Sequence, residues 1–162
     1  MAYNFERLNV LLVEDDQSMR VLIRDMLFVF GIQNVATATD GSRAYAELRH
    51  FPADFVLTDW AMEPLDGIEF TKMVRTAADS PNPFVPIIML TAHTQRSRII
   101  EARDSGVTEF LAKPMTSNAL YSRIVGIIET PRPFVRASSY FGPDRRRSIQ
   151  EFMGQNRRGA DD

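Results

Sequence analysis

The 162-residue sequence contains no cysteine, which excludes a disulfide framework and a metal site built from thiolates. It also lacks any window approaching about 18 uncharged apolar residues, the length that a membrane-spanning helix needs. The N-terminus has no basic start followed by a long apolar run, so we predict no signal peptide. Together these absences favour a cytoplasmic protein with no membrane span.

Lysine is absent from the C-terminal part of the chain, where every basic residue is arginine. Residues 1–129 carry 17 acidic and 12 basic side chains, whereas residues 130–162 carry 4 acidic side chains and 7 arginines. An acidic body followed by a basic tail of a single residue type predicts two functional parts.

Short apolar runs alternate with segments of helical apolar spacing through the body of the chain. The predicted strands lie at 8–13, 33–38, 53–59, 84–92 and 107–114. The predicted helices lie at 17–31, 40–50, 66–78, 94–106 and 116–130. This alternation predicts right-handed crossovers and a parallel sheet covered by helices on both faces. Because two prolines follow Glu129 within four residues, we place the boundary between body (1–129) and tail (130–162) there.

Polar side chains follow the predicted strands at their carboxyl ends, where open α/β sheets bind ligands. Glu14 and Asp15 follow the first strand, Asp59 ends the third, and Thr91 and Lys113 end the fourth and fifth. Carboxylates that lie close together repel one another unless a cation neutralises them, and oxygen ligands suit magnesium. A carboxylate can also accept a phosphoryl group as a nucleophile. The residues therefore predict a magnesium site with Asp59 as a phosphoacceptor.

Four motifs then occur in order along the body: "VLLVEDDQSMR", "FVLTDWAMEPLDGIEF", "IIMLTAH" and "EFLAKPM". In this combination the body resembles a CheY-like response-regulator receiver domain over roughly residues 6–129. The resemblance implies a flavodoxin-like (βα)5 fold whose parallel sheet has the strand order 2-1-3-4-5. It also implies a signalling protein that is not an enzyme and that receives its phosphoryl group from a histidine kinase or phosphotransfer protein.

The resemblance also assigns roles to individual residues. Asp59 matches the phosphoacceptor, and the magnesium ligands are Glu14, Asp15, Asp59 and the backbone carbonyl of Ala61. The switch and phosphoryl-contacting positions are Thr91, Phe110 and Lys113, and Pro114 matches a proline whose preceding peptide bond is usually cis. One departure is Glu63, which separates Met62 from Pro64 and places a further charge beside the predicted metal site.

The tail "TPRPFVRASSYFGPDRRRSIQEFM" leaves several interpretations open. Its polar and proline-rich composition predicts disorder in the free state, although its apolar residues suggest folding on binding. Arginines attract nucleic-acid phosphates, but the body is acidic and no DNA-binding module is recognisable, so we expect no DNA partner. A guanine nucleotide fits better, since arginine pairs with guanine O6 and N7, a carboxylate accepts from guanine N1–H, and aromatic rings stack on purines.

The stretch centred on "YFGPDRRR" resembles the arginine-rich extension of the Cle group, CheY-like proteins that bind cyclic di-GMP and act at the flagellar motor. The predicted ligand residues are Arg132, Arg136, Tyr140, Asp144, Arg145, Arg146 and Arg147, with Gly142-Pro143 as the turn between the two halves of the clamp. The resemblance implies a flagellar motor switch protein as partner, through the face that holds Phe110. The alternative is a phosphorelay shuttle or phosphate sink with an incidental tail.

Overall fold

Five parallel strands form the central sheet, in the order β2-β1-β3-β4-β5. The computed structural model describes residues 4–92, 96–137 and 139–145. The sheet strands are β1 (Asn9–Val13), β2 (Asn34–Ala38), β3 (Phe55–Asp59), β4 (Ile87–Thr91) and β5 (Glu109–Ala112). The helices are α1 (Gln17–Val29), α2 (Gly41–Leu48), α3 (Gly67–Thr76), α4 (Arg96–Ser105) and α5 (Ser117–Glu129). The predicted flavodoxin-like fold and its strand order are confirmed.

Apolar residues on both faces of the sheet form the core. Every residue of β3 and β4 is buried, because helices cover both faces and leave no solvated side for alternating polar residues. One face packs against α1 and α5, and its cluster includes Leu12, Ile23, Leu57, Ile88 and Ile124. The other face carries two clusters under α2, α3 and α4.

Acidic and hydroxyl side chains begin four of the helices. Asp16, Asp40 and Thr116 accept hydrogen bonds from backbone N–H groups in the first turns of α1, α2 and α5. Asp66 forms a capping box with Glu69 at the start of α3. Each cap lies in the loop between a sheet strand and the following helix, and so fixes where that helix begins.

The C-terminal extension forms an antiparallel hairpin of two strands, β6 (Phe134–Ala137) and β7 (Tyr140–Pro143). Disorder of the free tail is therefore wrong for the described part of the extension, while residues 146–162 lie outside the described residues. The predicted turn is also wrong, since the chain reverses between Ala137 and Tyr140 and Gly142-Pro143 belongs to β7. Gly142 is required there because a Cβ atom would lie 2.6 Å from the Tyr140 hydroxyl oxygen.

Aromatic contacts hold the hairpin against the edge of the sheet where β4 and β5 begin. Phe134 and Phe141 of the hairpin lie with their ring centroids 5.2 Å and 5.5 Å from Phe84, in the loop before β4. This apolar packing explains why the tail is structured: Phe134 and Phe141, which would be exposed in an extended tail, share a contact surface with the body.

Arg75, a buried arginine of α3, stabilises the contact between the hairpin and the body. Its guanidinium donates to the carbonyl oxygens of Gly106 (3.0 Å) and Pro83 (2.9 Å) and lies 5.0 Å from the ring centroid of Phe134. The side chain is 3% exposed, and this burial lowers the pKa of Arg75 to about 10, so it stays charged at neutral pH. Arg75 thus connects the end of α3 with the loops before β4 and β5 and with the hairpin.

No helix in the described ranges of the chain combines the length and apolar character needed to cross a membrane.

Replacing Arg75 with methionine should lower the free energy of unfolding by about 2–4 kcal/mol, because the buried carbonyl oxygens of Gly106 and Pro83 would lose their donors. Urea denaturation followed by circular dichroism measures this change. Arg49→Met is the matched control, since Arg49 forms an exposed pair with Asp79 that contributes only about 0–1 kcal/mol. Equal losses in the two variants would contradict the role assigned to Arg75.

Candidate functional site

The carboxyl ends of the sheet strands bring the predicted polar residues into one site. Asp59 is the last residue of β3, Thr91 is the last residue of β4, and Lys113 directly follows β5. Glu14 and Asp15 directly follow β1, which lies next to β3 in the sheet. Because all five strands run in the same direction, residues far apart in sequence meet at one edge.

Lys113 is the cation at the centre of this site. Its Nζ lies 3.0 Å from Asp59 Oδ1 and 3.2 Å from Glu14 Oε1. Burial alone lowers the pKa of Lys113, but the hydrogen bond and charge of Asp59, together with Glu14, outweigh it and raise the pKa overall. The backbone N–H of Trp60 also donates to Asp59 Oδ1 at 2.9 Å, so this carboxylate is held by two donors.

Three carboxylates form a cluster at the same place. Glu14, Asp15 and Asp59 each offer an oxygen within 4.8 Å of the other two. Glu14 is 1% exposed, and its Oε2 atom has no hydrogen-bond partner among the described residues. Burial, and then the hydrogen bond and charge of Asp59, raise the pKa of Glu14 to about 7. A buried oxygen without a donor beside two further carboxylates fits a hard divalent cation.

The loop between β3 and α3 completes the site. Ala61 and Glu63 line an open groove of about 480 Å³ together with Asp15, Trp60, Met62 and Asp66. The extra residue Glu63 therefore lies in the groove that opens beside the acidic cluster, as its position in the sequence suggests. The Glu63-Pro64 and Lys113-Pro114 peptide bonds are both cis, and the second confirms the prediction for Pro114.

Gly67 is a residue of this site whose role the sequence reasoning missed. Its N–H donates to the carbonyl oxygen of Trp60 at 2.9 Å, and a Cβ atom at this position would collide with the carbonyl oxygen of Asp59. Only glycine therefore lets the start of α3 approach the end of β3 so closely. The signal in the sequence was the Asp66-Gly67 pair, which marks the turn into the helix.

The predicted switch residues lie inside the protein. Thr91 is buried at the end of β4, and its backbone carbonyl accepts from the N–H of Lys113 at 2.9 Å. Phe110 is also buried and packs in a cluster that contains Trp60 and Ile99. Phe110 thus belongs to the same buried cluster as the residue that follows Asp59, and its ring does not lie on the outer face of the body.

The predicted ligand residues of the tail lie at the opposite edge of the sheet. Arg132 donates from Nη2 to Glu109 Oε1 at 2.8 Å, and Glu109 begins β5, whereas Lys113 follows its end. At roughly 3.3 Å per residue, the length of β5 separates the two sites by about 13 Å. The structure therefore does not bring the acidic cluster and the arginine-rich hairpin together.

Within the hairpin, the arginines lie on aromatic rings. The guanidinium carbon of Arg145 is 4.3 Å from the ring centroid of Tyr140, and that of Arg136 is 4.3 Å from the ring centroid of Phe141. Arg145 also donates to Asp104 Oδ1 at 2.9 Å. The N–H of Asp144 donates to the carbonyl oxygen of Pro133, which closes the open end of the hairpin. Arg146 and Arg147 lie outside the described residues.

The comparisons with known proteins agree with this geometry. Residues 10–125 match the family model described as the response regulator receiver domain. A chemotaxis protein CheY from Pseudomonas aeruginosa is 37% identical over 122 residues, which cover 75% of this chain and 97% of the relative.

Solved structures give the same result. Chemotaxis protein CheY4 of Vibrio cholerae is 33% identical with a TM-score of 0.67, covering 73% of this chain and 96% of that one. The receiver domain of a sensor histidine kinase from P. aeruginosa is 31% identical with a TM-score of 0.65, covering 74% of this chain and 94% of that one. That structure is described as having a magnesium ion coordinated in its active-site cleft.

The raised pKa of Glu14 predicts a pH-dependent stability of the metal-free protein. The folded protein keeps a proton on Glu14 up to about pH 7, whereas the unfolded chain releases it near pH 4.5. The free energy of unfolding should therefore fall between these values, by up to about 3 kcal/mol.

Urea unfolding in chelator from pH 4.5 to 8 measures the effect. Glu14→Gln should remove the part of the decline in unfolding free energy that comes from this carboxyl group. Saturating magnesium should make the decline smaller, because a bound cation stabilises the ionised carboxylate. Glu129→Gln, the same exchange at an exposed position, is the matched control. An identical decline in wild type and Glu14→Gln would contradict the assignment.

Proposed function

The chain belongs to the response regulator receiver domain family, and from this membership we propose that it accepts a phosphoryl group on Asp59 and acts by protein–protein interaction. The observation that carries the proposal is the position of Lys113, whose Nζ lies 3.0 Å from Asp59 Oδ1 and 3.2 Å from Glu14 Oε1. An ammonium group placed between Asp59 and Glu14 can contact a phosphoryl group on Asp59 without moving far. We propose that the protein works in the cytoplasm.

In the proposed reaction an oxygen of Asp59 attacks the phosphorus of a phosphohistidine on a histidine kinase or phosphotransfer protein. The phosphorus–nitrogen bond breaks, and the imidazole nitrogen leaves with the electron pair and takes up a proton. Lys113 balances the negative charge that the aspartyl phosphate adds beside Glu14. The donor set of Glu14, Asp15, Asp59 and the carbonyl of Ala61 would hold magnesium, which supplies charge neutralisation to the phosphoryl oxygens. Hydrolysis of the aspartyl phosphate would take place slowly at the same site, and we therefore propose that the protein is a switch and not an enzyme.

Thr91 and Phe110 would report the phosphorylated state to the rest of the body. Thr91 ends β4, the strand next to Asp59, and Phe110 lies in the buried cluster that contains Trp60, the residue after the phosphoacceptor. If a phosphoryl group on Asp59 draws the Thr91 hydroxyl toward itself, the space that the Thr91 side chain leaves becomes open to other side chains of the core. We propose a flagellar motor switch protein as the partner that recognises the resulting change on the face formed by α4, β5 and α5. The CheY names of the relatives support a role in chemotaxis.

We further propose that the hairpin and the residues after it bind cyclic di-GMP. The chain places Asp144 beside three consecutive arginines, next to the aromatic residues Tyr140 and Phe141. A carboxylate does not help phosphate binding but accepts from guanine N1–H, and arginine pairs with the other edge of the same base. Arg136, which is exposed and already lies on an aromatic ring, offers the kind of stacked guanidinium on which a purine can bind.

Asp59→Asn should abolish phosphorylation by acetyl phosphate in the presence of magnesium, because the amide cannot act as the nucleophile. Mass spectrometry of the intact protein should show one added phosphoryl group on the wild type and none on the variant. Asp54→Asn is the matched control, since Asp54 directly precedes β3 at the other edge of the sheet and bonds the N–H of Asn9. The fluorescence of Trp60, the single tryptophan of the chain, gives a second readout beside Asp59. Phosphorylation that persists in Asp59→Asn would refute the assignment.

Calorimetric titration with cyclic di-GMP should give measurable heat at micromolar ligand, and joint replacement of Arg145, Arg146 and Arg147 by alanine should remove it. Asp144→Ala should weaken cyclic di-GMP binding by roughly tenfold if Asp144 reads guanine. A general phosphate binder would instead bind more tightly after this change. Joint replacement of Arg43 on α2 and Arg49, which directly follows α2, by alanine is the control for loss of positive charge.

The alternative of a phosphorelay shuttle or phosphate sink makes the opposite prediction in cells. Deletion of residues 130–162 should then be silent, while Asp59→Asn should abolish function. Absence of heat with cyclic di-GMP, combined with this pattern, would establish the alternative. A retarded species in a gel shift with DNA at physiological salt would instead favour a nucleic-acid-binding regulator.

A further inference from the structure

The body and the hairpin are joined by ion pairs that use the same arginines as the ligand site proposed above, and the following inference rests on that proposed function. We infer that Glu109 and Asp104 compete with cyclic di-GMP for Arg132 and Arg145, so that binding of the dinucleotide releases the hairpin from the body. Docking and ligand binding then exclude each other, and the body itself sets the apparent affinity of its tail.

Arg132 is the more strongly held of the two arginines. Its Nε and Nη2 atoms both donate to Glu109 Oε1, at 3.2 Å and 2.8 Å, and its side chain is only 9% exposed. Its Nη1 atom donates to the carbonyl oxygen of Asp144 at 3.4 Å. Because these bonds use the donors on both sides of the guanidinium, Arg132 cannot pair with a phosphate or with guanine while Glu109 holds it.

Arg145 covers the ring of Tyr140, the aromatic residue of the proposed ligand site. Its guanidinium lies over the ring of Tyr140 at 4.3 Å while its Nη1 donates to Asp104. Tyr140 is buried in the docked hairpin, and its hydroxyl donates to the carbonyl oxygen of Pro143. A purine can therefore stack on this ring only after Arg145 has moved and the hairpin has left the body.

The exchange replaces one type of anion with another. The carboxylates of Glu109 and Asp104 and the phosphates of a cyclic dinucleotide are both acceptors for planar guanidinium groups, so the same donors serve both states. What opposes release is the packing of Phe134 and Phe141 on Phe84 and the contact of Phe134 with Arg75. The apparent affinity of the ligand is the intrinsic affinity reduced by the fraction of undocked protein.

The geometry favours competition over a positioning role for the carboxylates. A carboxylate that positions an arginine for a ligand bonds one side of the guanidinium and leaves the remaining N–H groups directed at the ligand. Here Arg132 is enclosed, and the Tyr140 ring is covered by Arg145. The docked hairpin therefore represents the state without ligand.

The test is a calorimetric titration with cyclic di-GMP of wild type and of the double variant that combines Glu109→Gln and Asp104→Asn. Because an exposed ion pair such as Arg145–Asp104 shifts an equilibrium by up to about fivefold, and a part-buried pair such as Arg132–Glu109 by more, the variant should bind at least about threefold more tightly. The matched control is Glu101→Gln on α4, which removes a carboxylate that pairs with Arg98 and not with the tail. Unchanged or weaker binding in the double variant would overturn the inference.

Hydrogen exchange of the hairpin amides provides a readout that needs no ligand. The double variant should exchange faster than wild type and Glu101→Gln at β6 and β7. Cyclic di-GMP should lower the protection of the Gly106 amide, because Gly142 of the hairpin packs against Gly106 in the docked state. If neither wild type nor the double variant binds cyclic di-GMP, the proposed ligand is wrong, whereas faster exchange in the variant still supports the role of the ion pairs in docking the hairpin. Equal protection in all three proteins, or ligand-induced protection of the docked hairpin, would overturn the inference.

Discussion

The common direction of the five sheet strands is the constraint on which the rest of this structure depends. All five strands end at one edge, so backbone geometry alone gathers Glu14, Asp59 and Lys113 there although they are far apart in sequence. The accumulation of carboxylates is unfavourable, and the pKa of Glu14 is raised first by burial and then by the hydrogen bond and charge of Asp59. Lys113 offsets part of the repulsion. A bound cation would reduce the remaining repulsion between these carboxylates.

The same constraint creates a second edge, where the strands begin, and there the chain places its basic extension. Arg75 makes this edge suitable for docking, since it bonds the loops before β4 and β5 and presents its guanidinium to the ring of Phe134. The two edges carry opposite charge patterns: carboxylates around one lysine at the first, and arginines on aromatic rings at the second. They are joined through β5, which begins at Glu109 and is followed by Lys113.

The arrangement of the body could be predicted from the sequence to a large extent. Apolar runs that alternate with helical spacing, together with polar residues at the strand ends, are sufficient for the five βα units and for the acidic cluster. The motif order also identified the cis peptide bond before Pro114. Gly67 was missed as a site residue because its importance lies in the distance between two backbone segments, which spacing along the chain does not express. Asp16, adjacent to the acidic pair, instead caps α1, as its bond to the N–H of Met19 shows.

The tail shows where sequence reasoning stopped. Composition predicted residues 130–162 as a separate part, and the arginines, the aromatics and Asp144 are features of the sequence alone. Its structure depends on partners that composition does not reveal, since Phe134 and Phe141 pack on Phe84, and Arg132 and Arg145 pair with Glu109 and Asp104. Local propensity favoured an unstructured chain because a short hairpin is marginally stable by itself. The sequence by itself therefore determined the five βα units, the chemistry of the acidic site and the composition of the tail. Only the tertiary structure decided that the tail is folded against the body, because that outcome rests on long-range contacts.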